Sequence, residues 1–221
     1  MKMNNYEILK KGFKQYLVVL NFASKIKKDI KLIDVGSQDN KLKELLPKNV
    51  TYKSLDMGGN ADYTCDINKK KIPVKAKIFD ITVCTETLEH VLYPDKIIEE
   101  LKRVTKDDGC LILSMPNEYN FWLRLNFLFG IKREISDANL EIVAALGHIH
   151  KPRVKDIINL FSKHLEIIEV IPFWQSTSAV RSNKINNLFY SIDVVINLLA
   201  KIHPSLFARL VVVIGKKKLE K

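Results

Sequence analysis

Residues 31–35, Lys31-Leu32-Ile33-Asp34-Val35, form a short buried-type strand that runs straight into Gly36, and similar runs recur downstream with helices between them. Strand signals lie at 51–55, around 63–65, at 78–84, 110–115, 166–171 and 208–214. Helical periodicity lies at 5–28, 41–46, 94–106, 152–163 and 184–203. Strands alternating with helices call for an α/β fold, a mostly parallel doubly wound sheet with helices on both faces. The helix after Pro94 is the best marked. Asp95 sits in its first turn, Ile97, Ile98, Leu101 and Val104 line one face, Lys102, Arg103 and Lys106 lie near its end, and Gly109 follows.

The alternation loosens after Pro116. Residues 117–146 read as helices carrying Trp122, Phe127 and Phe129, an inserted cap rather than another strand–helix unit. No linker divides the chain, so one domain over 1–221 is expected. It comprises an N-terminal helix (1–29), a cofactor-binding core (30–118), a cap insertion (119–150) and a C-terminal half (151–221) with the apolar helix 184–203 and the last strand.

Composition excludes some classes. Net charge is +11, from 36 Lys+Arg against 25 Asp+Glu, but the lysines are scattered, with short clusters at 69–71 and 216–218, as on a solvated surface. Cys65, Cys84 and Cys110 form no close pair and read as buried reduced thiols of a cytoplasmic protein, with no zinc-type ligand spacing and no metal expected. The apolar run 16–23 lacks a small-residue cleavage site, which favours an amphipathic helix over a signal peptide. No apolar run reaches the roughly 18 residues needed to span a bilayer.

In doubly wound sheets, ligands bind at the carboxyl ends of the strands. The first strand end offers Asp34-Val35-Gly36-Ser37-Gln38-Asp39-Asn40, and Asp56 stands 20 residues after Gly36, where an acid reaches the ribose of a nucleotide held at the first turn. A pyrophosphate would require G-x-G-x-x-G, yet Gly36 stands alone and Asp39 lies where the phosphates would be. S-adenosylmethionine carries a sulfonium and an amino-acid tail instead of phosphate, so nearby acids suit it. Asn40 tolerates the left-handed backbone that a missing glycine would otherwise supply.

Taken with the downstream residues, the loop resembles class I S-adenosylmethionine-dependent methyltransferases, of the small-molecule type with a Leu-Glu-His motif. Leu32-Ile33-Asp34-Val35-Gly36-Ser37 is similar to their first motif, Ser54-Leu55-Asp56-Met57 to their ribose-binding strand, and Asp62-Tyr63-Thr64-Cys65-Asp66-Ile67 to the segment that addresses adenine. The stretch from Phe79 through Leu88-Glu89-His90-Val91 and Pro94, with Arg103-Val104 and residues 108–117, resembles the family nearly throughout. The match covers about residues 30–118; Gly147-His148-Ile149-His150-Lys151-Pro152 and the closing strand are less specific. The first loop lacks the family's later glycines, and Asp108-Gly109 replaces the commoner Gly-Gly. The resemblance implies a Rossmann-like seven-stranded sheet with its last strand antiparallel and S-adenosylmethionine across the ends of strands one to four.

Residue by residue, the resemblance places Asp34, Gly36, Ser37, Asp56, Met57, Asp66, Ile67, Thr85 and Glu86 beside the cofactor. Asp34 contacts the methionine end or caps a turn. Asp56 accepts from ribose, Met57 packs on adenine or belongs to the core, and Asp66 contacts adenine or closes a loop. Glu89 lines the site or caps a helix entry. His90 is a general base or a loop-orienting hydrogen-bonding group, its ordinary pKa near 6.5 suiting the first. His148 and His150, on the cap side, contact or deprotonate the acceptor or are loop histidines, while His164 and His203 read as structural. The expected reaction is methyl transfer to O or N of a small-molecule acceptor, sugar- or lipid-linked acceptors included. The apolar stretch 185–207 packs on the sheet, forms a homodimer face, or touches a membrane peripherally.

Three other readings compete. A nicotinamide-dependent oxidoreductase lacks its glycines here. A non-catalytic methyltransferase-like module is disfavoured by the retained Asp34, Gly36, Asp56 and Asp66. No nucleic-acid substrate is expected, because Thr85-Glu86-Thr87-Leu88 is unlike the Asn/Asp-Pro-Pro-aromatic motif of base methylases, and most basic residues are lysine.

Overall fold

The computed structural model describes residues 14–131, 147–174 and 186–218. Its sheet has seven strands: β1 (Ile30–Val35), β2 (Val50–Asp56), β3 (Tyr63–Thr64), β4 (Phe79–Thr85), β5 (Thr105–Pro116), β6 (Leu165–Phe173) and β7 (Leu210–Lys217). They lie in the order β3-β2-β1-β4-β5-β7-β6. Pairings among β3, β2, β1, β4 and β5 are parallel. β7 runs antiparallel to both β5 and β6. The doubly wound sheet with an antiparallel last strand is therefore as expected, and strand order reverses between β1 and β4.

The helices are α1 (Lys14–Ser24), α2 (Pro94–Val104), α3 (Phe121–Leu128), α4 (Val154–His164), α5 (Asn186–Ile202) and the short α6 (Pro204–Phe207). Two apolar layers fill the two faces of the sheet. One joins Ile33, Val35, Cys84, Leu111 and Leu113 to Ile98, Leu101 and Val104 of α2 and to Ile157 and Phe161 of α4. The other joins Leu32, Ile81, Val83 and Ile112 to Val19 and Ala23 of α1. Alternate side chains of one strand point to opposite faces, so β1, β4 and β5 feed both layers.

Two elements differ from the sequence reading. Residues 41–46 form only a 3-10 turn, Lys41–Glu44, entered through Asn40 at φ 56°, the left-handed backbone its side chain tolerates. β5 starts at Thr105 instead of 110, with no loop after α2. The Thr105 hydroxyl reaches the Leu101 carbonyl (2.6 Å) and Thr82 Oγ1 (2.7 Å), turning the chain from helix to strand. Of the helix expected at 5–28, residues 5–13 lie outside the described residues, as do 132–146 of the cap and 184–185 of the apolar helix. Cys65, Cys84 and Cys110 are buried and free, as expected. Among the described residues no helix is long and apolar enough to cross a membrane.

Candidate active site

The loop after β1 is tightly folded. Gly36 has φ +79°, followed by Gln38 at φ 45° and Asn40 at φ 56°. A Cβ at Gly36 would lie 2.1 Å from Thr87 Oγ1, so the turn after β4 packs directly on this loop. Asp56, at the end of β2, ties the two segments together, one carboxylate oxygen accepting from the Gln38 amide (2.9 Å) and the other from that of Met57 (2.7 Å). Each oxygen keeps a lone pair for a further donor. Met57 is exposed beside it.

Asp34 is buried within β1 and accepts from the Tyr52 hydroxyl at 3.0 Å. Burial pushes its carboxyl up to about 7, against the lowering effect of Tyr52, and the Asp56 charge adds to the rise. Ser37 is buried too, and its hydroxyl has no hydrogen-bond partner. A buried acid and an unsatisfied hydroxyl beside a left-handed glycine turn fit a ligand with a cationic, hydrogen-bonding end. Asp66 closes the 66–70 turn: its carboxylate accepts from the Asn68 amide (3.0 Å) and pairs with Lys69 (3.1 Å), which holds it below the usual carboxylate range. Ile67 packs partly buried against the core and Thr85 is buried at the end of β4.

Glu86, at φ 51°, follows Thr85. Its side chain is exposed, and desolvation raises its carboxyl above the ordinary range, against the pull of Arg209 and His148. Glu118, two residues after β5, and Arg209, directly before β7, complete the same strand-end edge, since Pro116 pairs with Leu210. A charged residue just beyond a strand end was the available signal.

The histidines divide. His90 and His148 meet edge to face with ring centroids 4.9 Å apart. His90 Nδ1 donates to the Gly147 carbonyl (3.1 Å) and His148 Nδ1 donates to Glu118 Oε1 (2.5 Å), so both Nε2 atoms are left free of these bonds. Glu118 holds the His148 pKa above its ordinary value, whereas desolvation lowers that of His90. His150 is not brought to this pair: its Nε2 donates to the Val91 carbonyl at 2.9 Å and clamps the 147–150 segment to the turn. Glu89 is buried, and desolvation pushes its carboxyl up to about 8. The sequence offers no closely spaced metal-ligand set, yet the fold gathers ligand atoms of Glu89, His90 and His148 within 4.8 Å of one another. His164 is structural as read, bonded to Glu99 (2.6 Å) and Asp95 (2.8 Å).

This arrangement, a left-handed glycine turn at the switch point with acids at the strand ends, is that of a Rossmann-like doubly wound fold. Solved structures share it. A candidate methyltransferase of Bacillus halodurans superposes with TM-score 0.59 at 14% identity, covering 93% of this chain and 100% of that one. An S-adenosylmethionine-dependent methyltransferase of Archaeoglobus fulgidus gives TM-score 0.55 at 15% identity, over 97% and 100%. Phosphoethanolamine N-methyltransferase 2 of Haemonchus contortus, in complex with S-adenosylmethionine, gives 0.55 at 14% identity, over 94% of this chain and 53% of that one. No curated protein matches the sequence significantly. The methyltransferase-domain family model matches residues 9–165, and the chain belongs to that family. It is a class I S-adenosylmethionine-dependent methyltransferase.

Proposed function

We propose that this enzyme methylates an oxygen or nitrogen atom of a small molecule that docks against Glu86, Glu118, His90 and His148. The observation that carries the reading is the imidazole pair, His90 on the turn after β4 that touches the cofactor loop through Thr87, and His148 on the 147–150 segment tied to that turn. Asp34 and Ser37 would hold the amino-acid end of S-adenosylmethionine, Asp56 its ribose, and Met57, Asp66 and Ile67 its adenine. Thr85 and Glu86 line the passage to the acceptor. When bound, the cofactor supplies an already activated methyl group on its sulfonium, open to in-line attack.

The chain's own part is then positioning and proton removal. Holding two reactants in attack geometry supplies about 7–11 kcal/mol of a barrier. A hydroxyl or ammonium acceptor must also lose a proton, and His148, oriented by Glu118, accepts it at Nε2. His90 packs edge to face against it, while His150 holds the segment in place. Exposed Phe121, Trp122, Phe127 and Leu128 on α3 favour an acceptor with an apolar portion, including a lipid-linked one reached by peripheral membrane contact. Free buried thiols support a cytoplasmic setting. The test is release of S-adenosylhomocysteine from the purified enzyme over a panel of hydroxyl- and amine-bearing small molecules. His148→Asn should lower kcat by about 10²–10⁴-fold while cofactor affinity is kept. Unchanged kcat in that variant would remove His148 from proton transfer.

A further inference from the structure

We propose that Glu89, His90 and His148 form a binding site for one divalent first-row cation, zinc foremost, with an open position for an acceptor hydroxyl. One ligand atom from each lies within 4.8 Å of the other two. Each imidazole already spends Nδ1 on an outer acceptor, His90 on the Gly147 carbonyl and His148 on the Glu118 carboxylate. That is how metal-binding histidines are held: the outer bond fixes the tautomer and leaves Nε2 as the ligand atom.

Glu89 supplies a second, independent observation. Its side chain is 1% exposed, and Oε2 has no hydrogen-bond partner. Its other oxygen stands 4.0 Å from His90 Nε2, too far for a hydrogen bond. A buried carboxyl left in this state is kept neutral by a proton or has its charge met by a cation beside it. His164 shows the contrasting case, with both ring nitrogens on carboxylates and Lys163 on Asp95, so nothing there is unsatisfied.

The backbone presets the three ligands. The Glu89 carbonyl accepts from the amides of Ile149 (2.9 Å) and His150 (3.0 Å), which ties the segment carrying His148 to the turn carrying Glu89 and His90. A tetrahedral site with bonds near 2.1 Å spaces its donors roughly 3.4 Å apart. The present spacing, within 4.8 Å, is wider than that, so a bound cation would draw the three side chains inward. Two imidazoles and one carboxylate are a catalytic-zinc type of donor set, which keeps a position open.

The consequence for chemistry rests on the acceptor docking at this cluster, and it narrows the acceptor to oxygen. A hydroxyl on the cation ionises near neutrality. With the cation in place His148 Nε2 is a ligand and no longer the base. The O–H bond therefore breaks with its proton passing to solvent, and the oxyanion lone pair forms the new bond to the methyl carbon. The carbon–sulfur bond breaks with its electron pair remaining on sulfur.

The test uses tag-free, chelator-treated full-length protein titrated calorimetrically with zinc chloride, with cobalt(II) absorption as a report on geometry. One zinc per chain is expected. His90→Ala, His148→Ala and Glu89→Gln should each weaken it at least about 100-fold, and Glu118→Gln about 10-fold, with S-adenosylmethionine binding retained as the sign of a folded chain. His203→Ala, an exposed histidine at the start of α6, should leave it unchanged. Absence of saturable one-to-one binding, or equal binding in both histidine variants, would overturn the site. Methyl transfer undiminished after chelation would overturn the cation's part in catalysis. A failure of the acceptor reading looks different: zinc binds as expected while His148→Ala turns over acceptor normally.

Discussion

Gly36 is held by two constraints at once. Its φ of +79° is one that a side chain adopts only under strain, and Thr87 occupies the space a Cβ would need. Gly36→Ala should therefore cost about 2–4 kcal/mol and lower the thermal midpoint by several degrees. Thr87→Ala in the same chain should restore part of that, since it removes the clash but not the strain. Additive losses in the double variant would contradict the packing. Asp34 makes a second residue-scale prediction. Its folded pKa of about 7 lies above the ordinary carboxyl value. The folded state thus binds the proton more tightly, and stability falls as pH rises from about 4 through 7. Asp34→Asn should flatten that profile and stabilise the cofactor-free protein at pH 8 by on the order of 1–3 kcal/mol, while weakening S-adenosylmethionine binding. A variant less stable at pH 8 would show that the buried charge is already compensated.

At the scale of elements, the site depends on two short segments held by backbone bonds. The turn Leu88–His90 and the 147–150 segment meet through the Glu89 carbonyl and through His150 to Val91. His150→Phe removes one clamp and should raise the acceptor KM with little change in cofactor affinity; steady-state kinetics with the two substrates varied separately read this. The α2–β5 junction is equally constrained. A Cβ on Gly109 would lie 2.8 Å from Thr105 Cγ2 and 2.9 Å from the Asp80 carbonyl. Gly109→Ala should destabilise by about 1–3 kcal/mol, read by denaturant midpoint, although the residue touches no ligand.

At this scale the sequence and the structure also part. α2 was legible because Pro94, Asp95 and the stripe of Ile97, Ile98, Leu101 and Val104 agree on one helix. The donor loop was legible because strand, glycine and a spaced acid form a local pattern. On the acceptor side His90 and His148 were named from the sequence, but Glu118 and Arg209 were not. These two come from separate connections, and only strand order and the antiparallel β7 bring them to one edge. Spacing along the chain carries no trace of such a meeting.

For the whole molecule, the sheet order sets where the candidate site lies. Strand order reverses between β1 and β4, and the donor loop after β1 lies against the turn after β4. Lysines spread over the surface give the chain its +11 charge, and that excess is independent of the fold. The account's central claim is that the acids at the ends of β1 and β2 bind S-adenosylmethionine. Isothermal titration of the purified chain with S-adenosylmethionine, and separately with NADH, tests it most directly. The prediction is one S-adenosylmethionine site per chain, weakened roughly 10- to 100-fold by Asp56→Ala, as expected for loss of charge-assisted hydrogen bonds, and no NADH binding. NADH binding without S-adenosylmethionine binding, or full affinity retained in Asp56→Ala, would contradict it.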